Sequence, residues 1–309
     1  MLNWLNSLKK DITNNVVKFL EVLEIDFKNQ IKICVSGNSY RVTTITTLKE
    51  VLNIKKFNAG VILFSEDLEN IISYKNRSID KESLDFHLGC IKTIAEENNL
   101  EISYYEALFL AGLNFFREQK APIIIVDDSF SFIKDIEYNH YLFNGYNGDY
   151  SYSKIDPKDL YLYKSELCSF SYNNLDYDVP NYGSFSAYSY CLALKFLEDF
   201  YPEIKQKKIK KIINDLDSNF ISERVNFNPR VILHLAFNLD DYNYYLDELK
   251  KITERDIITI SNNEEFNPNY LIKENEEIKD IINNAKIEAI LVIIGNKFFV
   301  KDIRSFFKK

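Results

Sequence analysis

Hydrophobic and polar positions along this chain switch between two periods, and the switching predicts alternating helices and strands. In the first half, apolar residues at helical spacing predict four helices, over 4–23, 43–52, 80–97 and 104–119. Asp80 is the expected cap of the third helix. Apolar runs predict buried strands at 31–36, 59–64 and 121–127. This βαβ rhythm predicts a mainly parallel sheet covered by helices on both faces.

The second half repeats the rhythm after an interruption. Residues 129–162 have no clear period, which indicates an irregular connection or a small hairpin region. Asn173-Asn174 separates two short runs that predict a β-hairpin, and long helices are predicted over 184–200 and 203–216. Three strand-then-helix pairs follow, at 230–236 with 241–252, 256–261 with 274–284 and 289–294 with 300–307.

Composition narrows the class of protein. The net charge of −8 argues against nucleic acid or an anionic membrane as partner. No apolar run approaches membrane-spanning length, and residues 1–11 are charged and amphipathic, unlike a secretory signal. The 4 cysteines are dispersed without CxxC spacing, as expected of free thiols. We therefore expect a cytoplasmic protein.

The stretch 31–44 has the order of a phosphate-binding loop: a buried strand, a loop and the start of a helix. Such loops need small residues, so that backbone N–H groups can surround a phosphate, together with a Lys and a Ser/Thr for phosphate and Mg²⁺. Gly37 and Thr43 occupy the first glycine and the metal-binding hydroxyl positions. Arg41 replaces the lysine, and the bulky Tyr40 stands where flexibility is needed.

Seven segments, in order, make the chain resemble the folylpolyglutamate/dihydrofolate synthases of the Mur ligase superfamily. The loop 33–44 is similar to the family's V-A-G-T-N-G-K-G-S-T, and 228–238 to N-P-R-V-I-L-D-G-A-H-N. The other five segments are 61–68, 79–84, 105–120, 182–194 and 289–300. The resemblance implies a P-loop-type, mainly parallel central domain at 1–216, followed by a smaller Rossmann-like α/β domain at 217–309. A composition shift at 215–228 supports that boundary.

Family members use ATP to phosphorylate the γ-carboxylate of a folate. The amine of an incoming glutamate then attacks the resulting acyl phosphate. The resemblance implies nucleotide contacts in this chain at Gly37, Arg41, Thr43, Thr44 and Asn238. It implies Mg²⁺ contacts at Thr43 and Asp127.

Much of the family's chemistry is nevertheless missing from the sequence. Val42, being β-branched, resists the positive φ that glycine allows in the loop. Asp127 is one methylene shorter than the family's Glu, and 129–162 contains no counterpart of the metal-binding histidine or the modified lysine. His234 and Phe237 replace the Asp and the His of the C-terminal motif. The sequence assigns no catalytic residue.

Three interpretations remain open. The first is a degenerate homologue that keeps the fold for binding or structure, without a cofactor and with an unknown protein partner. The second is a divergent ligase that uses Arg41, Thr43 and Asp127 with ATP, Mg²⁺, folate and glutamate. The third is an unrelated α/β protein. Structural roles compete with each site assignment, since Thr43 could cap a helix and His234 could be a packed core histidine.

Overall fold

The computed structural model describes residues 1–64, 68, 70–146, 148, 150–162, 168–179, 184–214, 216, 222–236 and 238–307. Gly183, which precedes a predicted helix, and Phe237 of the C-terminal motif lie outside this description. In the described part of the chain, no helix is both long and apolar enough to cross a membrane.

The chain forms two compact units. One comprises Met1–Gly37 and Thr44–Ser151, and the other comprises Asn38–Thr43 and Tyr152–Lys309. Contacts therefore group 152–216 with the C-terminal part, unlike the expected limits of 1–216 and 217–309. The domain boundary near residue 217, which the family resemblance implies, stays a prediction.

The first unit is built on one six-stranded sheet. Its strands are β1 (Ile31–Gly37), β2 (Ala59–Ile62), β3 (Ile72–Tyr74), β4 (Arg77–Ser78), β5 (Ile123–Asp127) and β6 (His140–Asn144), in the order β4-β3-β2-β5-β1-β6. Its helices are α1 (Leu2–Ser7), α2 (Val16–Val22), α3 (Arg41–Ile54), α4 (Lys81–Glu97) and α5 (Tyr104–Glu118), and α3 belongs to this unit from Thr44 onward. The pairings β2-β5, β5-β1 and β1-β6 are parallel, and every residue of β5 is buried. The predicted mainly parallel α/β sheet is thereby confirmed, and Asp80 caps α4 as expected.

Two local predictions in this unit were wrong. The helix expected over 4–23 is interrupted, because the buried carboxylate of Glu106 accepts the backbone N–H groups of Thr13 and Asn14. Those amides leave the helical ladder, and Asn14 adopts a φ of 59°. The region expected to be irregular contains β6, which pairs in parallel with β1.

The second unit contains two sheets. A three-stranded antiparallel sheet consists of β7 (Leu160–Leu162), β8 (Cys168–Tyr172) and β9 (Leu175–Val179), packed with α6 (Ser184–Phe200) and α7 (Gln206–Asn214). Asn173 and Asn174 both have positive φ, at 49° and 60°, which gives the expected hairpin its tight turn.

The other sheet has five strands in the order β10-β11-β14-β12-β13. These are β10 (Ser222–Phe227), β11 (Arg230–Leu235), β12 (Ile257–Ser261), β13 (Tyr270–Leu271) and β14 (Ile290–Gly295), with helices α8 (Leu239–Ile252), α9 (Glu277–Asn284) and α10 (Lys297–Phe307). Strand β10 was not predicted, and it is antiparallel to β11. Alternate residues of β11 enter different cores: Val231 and Leu233 pack with residues of α9 and α10, whereas Ile232 packs with residues of α8.

Candidate functional site

Gly37 ends β1 in a conformation that only glycine tolerates well. Its φ is +105°, and a Cβ atom built there would lie 2.4 Å from the backbone oxygen of Asn144. The close approach arises because Gly37 pairs with Asn144 in the β1-β6 ladder. The predicted loop glycine therefore occupies a position that requires glycine, and strand pairing with β6 accounts for the requirement.

Asn144 also engages Thr44, the second hydroxyl of the predicted loop. The Thr44 hydroxyl donates to Asn144 Oδ1 at 2.7 Å, and both residues are buried. The Asn144 amide nitrogen lies 3.4 Å from the carbonyl oxygen of Ser36. The structure thus brings Gly37 and Thr44 together around an asparagine that the sequence analysis did not single out.

Five backbone amides of the loop, those of residues 39–43, have acceptors within the protein. The N–H of Ser39 donates to Asp241 Oδ1 at 3.1 Å, and that of Tyr40 donates to Asn38 Oδ1 at 3.1 Å. The next three N–H groups donate to backbone carbonyl oxygens: Arg41 to Asn38 at 3.0 Å, Val42 to Ser39 at 3.3 Å and Thr43 to Tyr40 at 2.9 Å. A phosphate-binding loop directs such amides at phosphate oxygens. In this conformation the five amides donate to acceptors within the protein instead.

Asp241 is the acceptor that ties the loop to the first turn of α8. Asn238 caps this helix, its Oδ1 accepting from the Asp241 N–H at 2.9 Å. The predicted nucleotide-binding residue Asn238 thus orients an acidic residue that holds Ser39. Because a carboxylate and a phosphate compete for the same N–H donor, Asp241 makes the loop a poorer anion site.

Tyr40 is buried, with 4% of its surface exposed, within a group of aromatic side chains of the second unit. Its ring centroid lies 6.1 Å from that of His234 and 6.3 Å from that of Phe185. On α8, the Tyr245 ring stacks on His234 at 3.6 Å with 10° between the planes. Tyr40 therefore occupies a packed position, in contrast to the open conformation that loop glycines provide.

His234 lies inside β11 with none of its surface exposed, on the face that carries Ile232. Neither ring nitrogen has a hydrogen-bond partner among the described residues, and burial lowers the pKa of His234 to about 3. The ring is therefore neutral at physiological pH and stabilised by stacking on Tyr245. The structure favours the packed core histidine over a catalytic one.

Arg41 and Thr43 lie in the first turn of α3. The guanidinium Nη1 of Arg41 donates back to the carbonyl oxygen of Asn38 at 3.3 Å, so the predicted substitute for the loop lysine supports the loop's own backbone. Thr43 is buried. In this conformation the five N–H groups of residues 39–43 are engaged within the protein and are not directed at a phosphate.

Asp127, the predicted metal ligand, ends β5 with no exposed surface. It lies opposite Val35 in the parallel pairing of β5 with β1, at the edge where α/β sheets bind ligands. Burial raises the pKa of the neighbouring Cys34 thiol, and the charges of Asp128 and Asp127 add to that effect. Across the described ranges, no three His, Cys, Asp or Glu side chains cluster as a metal site would require. The described residues do not form a protein-only metal centre.

Sequence comparison matches the chain to no protein-family profile and to no curated protein. Solved structures do match it. The folylpolyglutamate synthetase from Lactobacillus casei superposes with a TM-score of 0.70 at 12% identity, over 100% of this chain and 98% of that chain. A folylpolyglutamate synthase complex with AMPPCP and folate gives 0.73 at 11% identity, with the same coverages. A bifunctional folylpolyglutamate synthase/dihydrofolate synthase with Mn, AMPPNP and L-glutamate bound superposes with a TM-score of 0.71 at 12% identity. The match covers 99% of this chain and 96% of that chain.

These superpositions assign the chain to a class of architecture, an α/β fold built on mainly parallel sheets. Within that class the fold is that of the folylpolyglutamate synthases, as the order of the seven segments predicted. At 11–12% identity the likeness establishes the fold alone.

Proposed function

We propose that this chain is a folylpolyglutamate synthase-like protein whose ATP-dependent folate–glutamate ligase activity is lost or much reduced, and which acts as a binding or structural homologue. The engaged loop carries the proposal: five consecutive amides are satisfied by protein acceptors, and one acceptor is the carboxylate of Asp241. Catalysis of acyl-phosphate formation depends on donors that meet developing negative charge. A loop whose donors are already used supplies little of that stabilisation.

A divergent active ligase is the alternative, and two observations favour it. Gly37 keeps the positive φ of a loop glycine, and Asp127 is fully buried at the carboxyl end of a central strand. In that case ATP, Mg²⁺, folate and glutamate would be the ligands. The relatives crystallised with AMPPCP and folate, or with Mn, AMPPNP and L-glutamate, support the same set. In either case we place the protein in the cytoplasm, where its three described free cysteines would stay reduced.

The test is incorporation of labelled L-glutamate into a folate, with ATP and Mg²⁺ present and an active folylpolyglutamate synthase assayed in parallel. We expect no product above the protein-free background. ATP-dependent product that disappears in Asp127→Asn would establish the active ligase and overturn the proposal. The Asp128→Asn variant is the matched control, because it removes the neighbouring carboxylate.

A further inference from the structure

Helix α7 carries a concentration of positive charge in an acidic protein. Five lysines lie within seven positions, at 205, 207, 208, 210 and 211, whereas the whole chain has a net charge of −8. Lys207, Lys208 and Lys211 are exposed, and none of the five pairs with an acidic side chain in the described part of the chain. The helix has no acidic residue in its first turn.

The other side of α7 is occupied by packing. Ile209 and Ile213 are buried, and the helix packs against β9. The Gln206 side chain donates to the carboxylate of Glu198 on α6, which also accepts from the Asn173 amide at 2.8 Å. The nearby carboxylate of Glu198 is therefore engaged by neutral partners, and among the described residues no acidic side chain pairs with the lysine face.

The placement of the lysines opposes helix formation. Lys207 and Lys208 lie near the helix N-terminus, where the helix dipole disfavours cations. Lys207 and Lys211 are four positions apart, and like charges at that spacing repel. A bound anionic partner would relieve both unfavourable terms.

We propose that the exposed face formed by Lys207, Lys208 and Lys211 of α7, together with the preceding Lys205, docks an acidic polypeptide segment rich in Glu and Asp. Complementary charge at this face would steer association and favour carboxylate-bearing partners. The proposal is independent of whether the Gly37 loop binds a nucleotide.

The chemistry of the face separates this partner from other polyanions. Nucleic-acid surfaces commonly combine lysines with arginine forks and aromatic stacking, and the segment 203–214 contains neither Arg nor an aromatic residue. A membrane-binding helix must insert its apolar side, yet Ile209 and Ile213 are buried against the protein. Lysine ammonium groups that lack both nearby Arg or aromatic residues and a free apolar face suit the carboxylates of an acidic peptide.

Binding of a fluorescein-labelled peptide of alternating Glu and Ser, followed by fluorescence anisotropy, tests the proposal. The test variant is Lys207→Glu, Lys208→Glu and Lys211→Glu combined. The matched control replaces three exposed lysines elsewhere, Lys10, Lys18 and Lys120, with Glu, so net charge changes equally. Because the test variant places anions near the start of α7, its melting temperature should not fall, and loss of binding cannot be attributed to unfolding.

We expect the native chain and the control to bind the peptide at low salt and to weaken as salt rises. The test variant should bind about tenfold more weakly or worse. Equal binding by all three proteins, or no binding by the native chain, would overturn the proposal. So would tighter binding to an RNA homopolymer or to phosphatidylserine vesicles than to the peptide.

Discussion

The backbone N–H of Ser39 donates to the carboxylate of Asp241 at 3.1 Å, and this bond joins residues 202 positions apart. Both residues are buried. The bond places a negative charge on a donor that phosphate-binding loops reserve for their ligand. The proposed loss of nucleotide binding therefore involves more than the replacement of loop glycines, since an acidic residue of α8 accepts from one of the loop's N–H donors.

Replacing Asp241 with Ala should destabilise the protein, because it leaves the buried Ser39 N–H without its charged acceptor. The expected loss is about 1–3 kcal/mol in the free energy of unfolding, measured by urea denaturation. Asp240→Ala is the control, since Asp240 is an exposed acid in the same first helical turn. A loss equal to that of the control would mean that the Ser39 bond contributes nothing.

Restoring the loop should recover some nucleotide affinity. The variant Tyr40→Gly, Arg41→Lys, Val42→Gly removes the packed aromatic side chain. It also gives the loop the glycines and the lysine of the family's loop. We expect measurable ATP binding by calorimetry, with a Kd of about 1 mM or tighter. Adding Asp241→Asn should strengthen it further, because a neutral amide competes less well than a carboxylate for the Ser39 N–H.

The same restored variants should not ligate glutamate to a folate. A phosphate anchor binds ATP, but it does not by itself stabilise the acyl-phosphate transition state. The restored variants still have His234, in β11, where the family has Asp. Glutamylation by any of these variants would show that the chemistry survives outside the loop.

Stability should depend on pH through His234. Its pKa is about 3 in the folded protein, and about 6.5 is expected when it is unfolded. The unfolded state therefore binds an extra proton between these values. The free energy of unfolding should decrease as pH falls below about 6.5, by at most about 1.4 kcal/mol per pH unit.

The His234→Phe variant is the control for this effect, since phenylalanine can stack on Tyr245 without titrating. The difference in unfolding free energy between native chain and variant should change between about pH 8 and pH 5, in favour of the variant at low pH. His87 and His140, whose pKa values burial also lowers, are common to both proteins and cancel in the difference. A pH-independent difference would contradict a buried neutral His234.

Glu106 should matter greatly to the N-terminal segment. Its carboxylate accepts from the backbone N–H groups of Thr13, Asn14 and Ser103, so Glu106→Ala would leave several donors unsatisfied. We expect a loss of about 3 kcal/mol or more in the free energy of unfolding. Glu101→Ala, at an exposed neighbouring position, should change it by less than about 0.5 kcal/mol. Similar losses in the two variants would argue against this role.

The elements that the sequence predicted well have strong local signals. β5 is a continuous apolar run, Asp80 precedes an amphipathic helix, and Asn173-Asn174 favours a tight hairpin turn. The break after α1 could not be predicted in this way, because Glu106, more than 90 residues away, removes the amides of Thr13 and Asn14 from the helix. Long-range hydrogen bonds leave no periodic trace in the sequence.

The same limit applied to the loop. Sequence reasoning found Gly37, Tyr40 and Arg41, since their types are informative at that spacing, but it missed Asp241 and Asn144. One signal for Asp241 was available: Asn238 and an acid three positions later have the spacing of a helix-capping pair. That spacing is typical of a helix start, and only the fold shows that the carboxylate binds Ser39.

Calorimetric titration of the native chain with ATP and Mg²⁺ tests the central claim most directly. A loop whose amides are satisfied by protein acceptors should give no saturable heat at ATP concentrations up to about 1 mM, under conditions where an active folylpolyglutamate synthase binds. Saturable, Mg²⁺-dependent binding with a Kd in the micromolar range would contradict the account. It would mean that the loop exchanges Asp241 and Asn38 for phosphate.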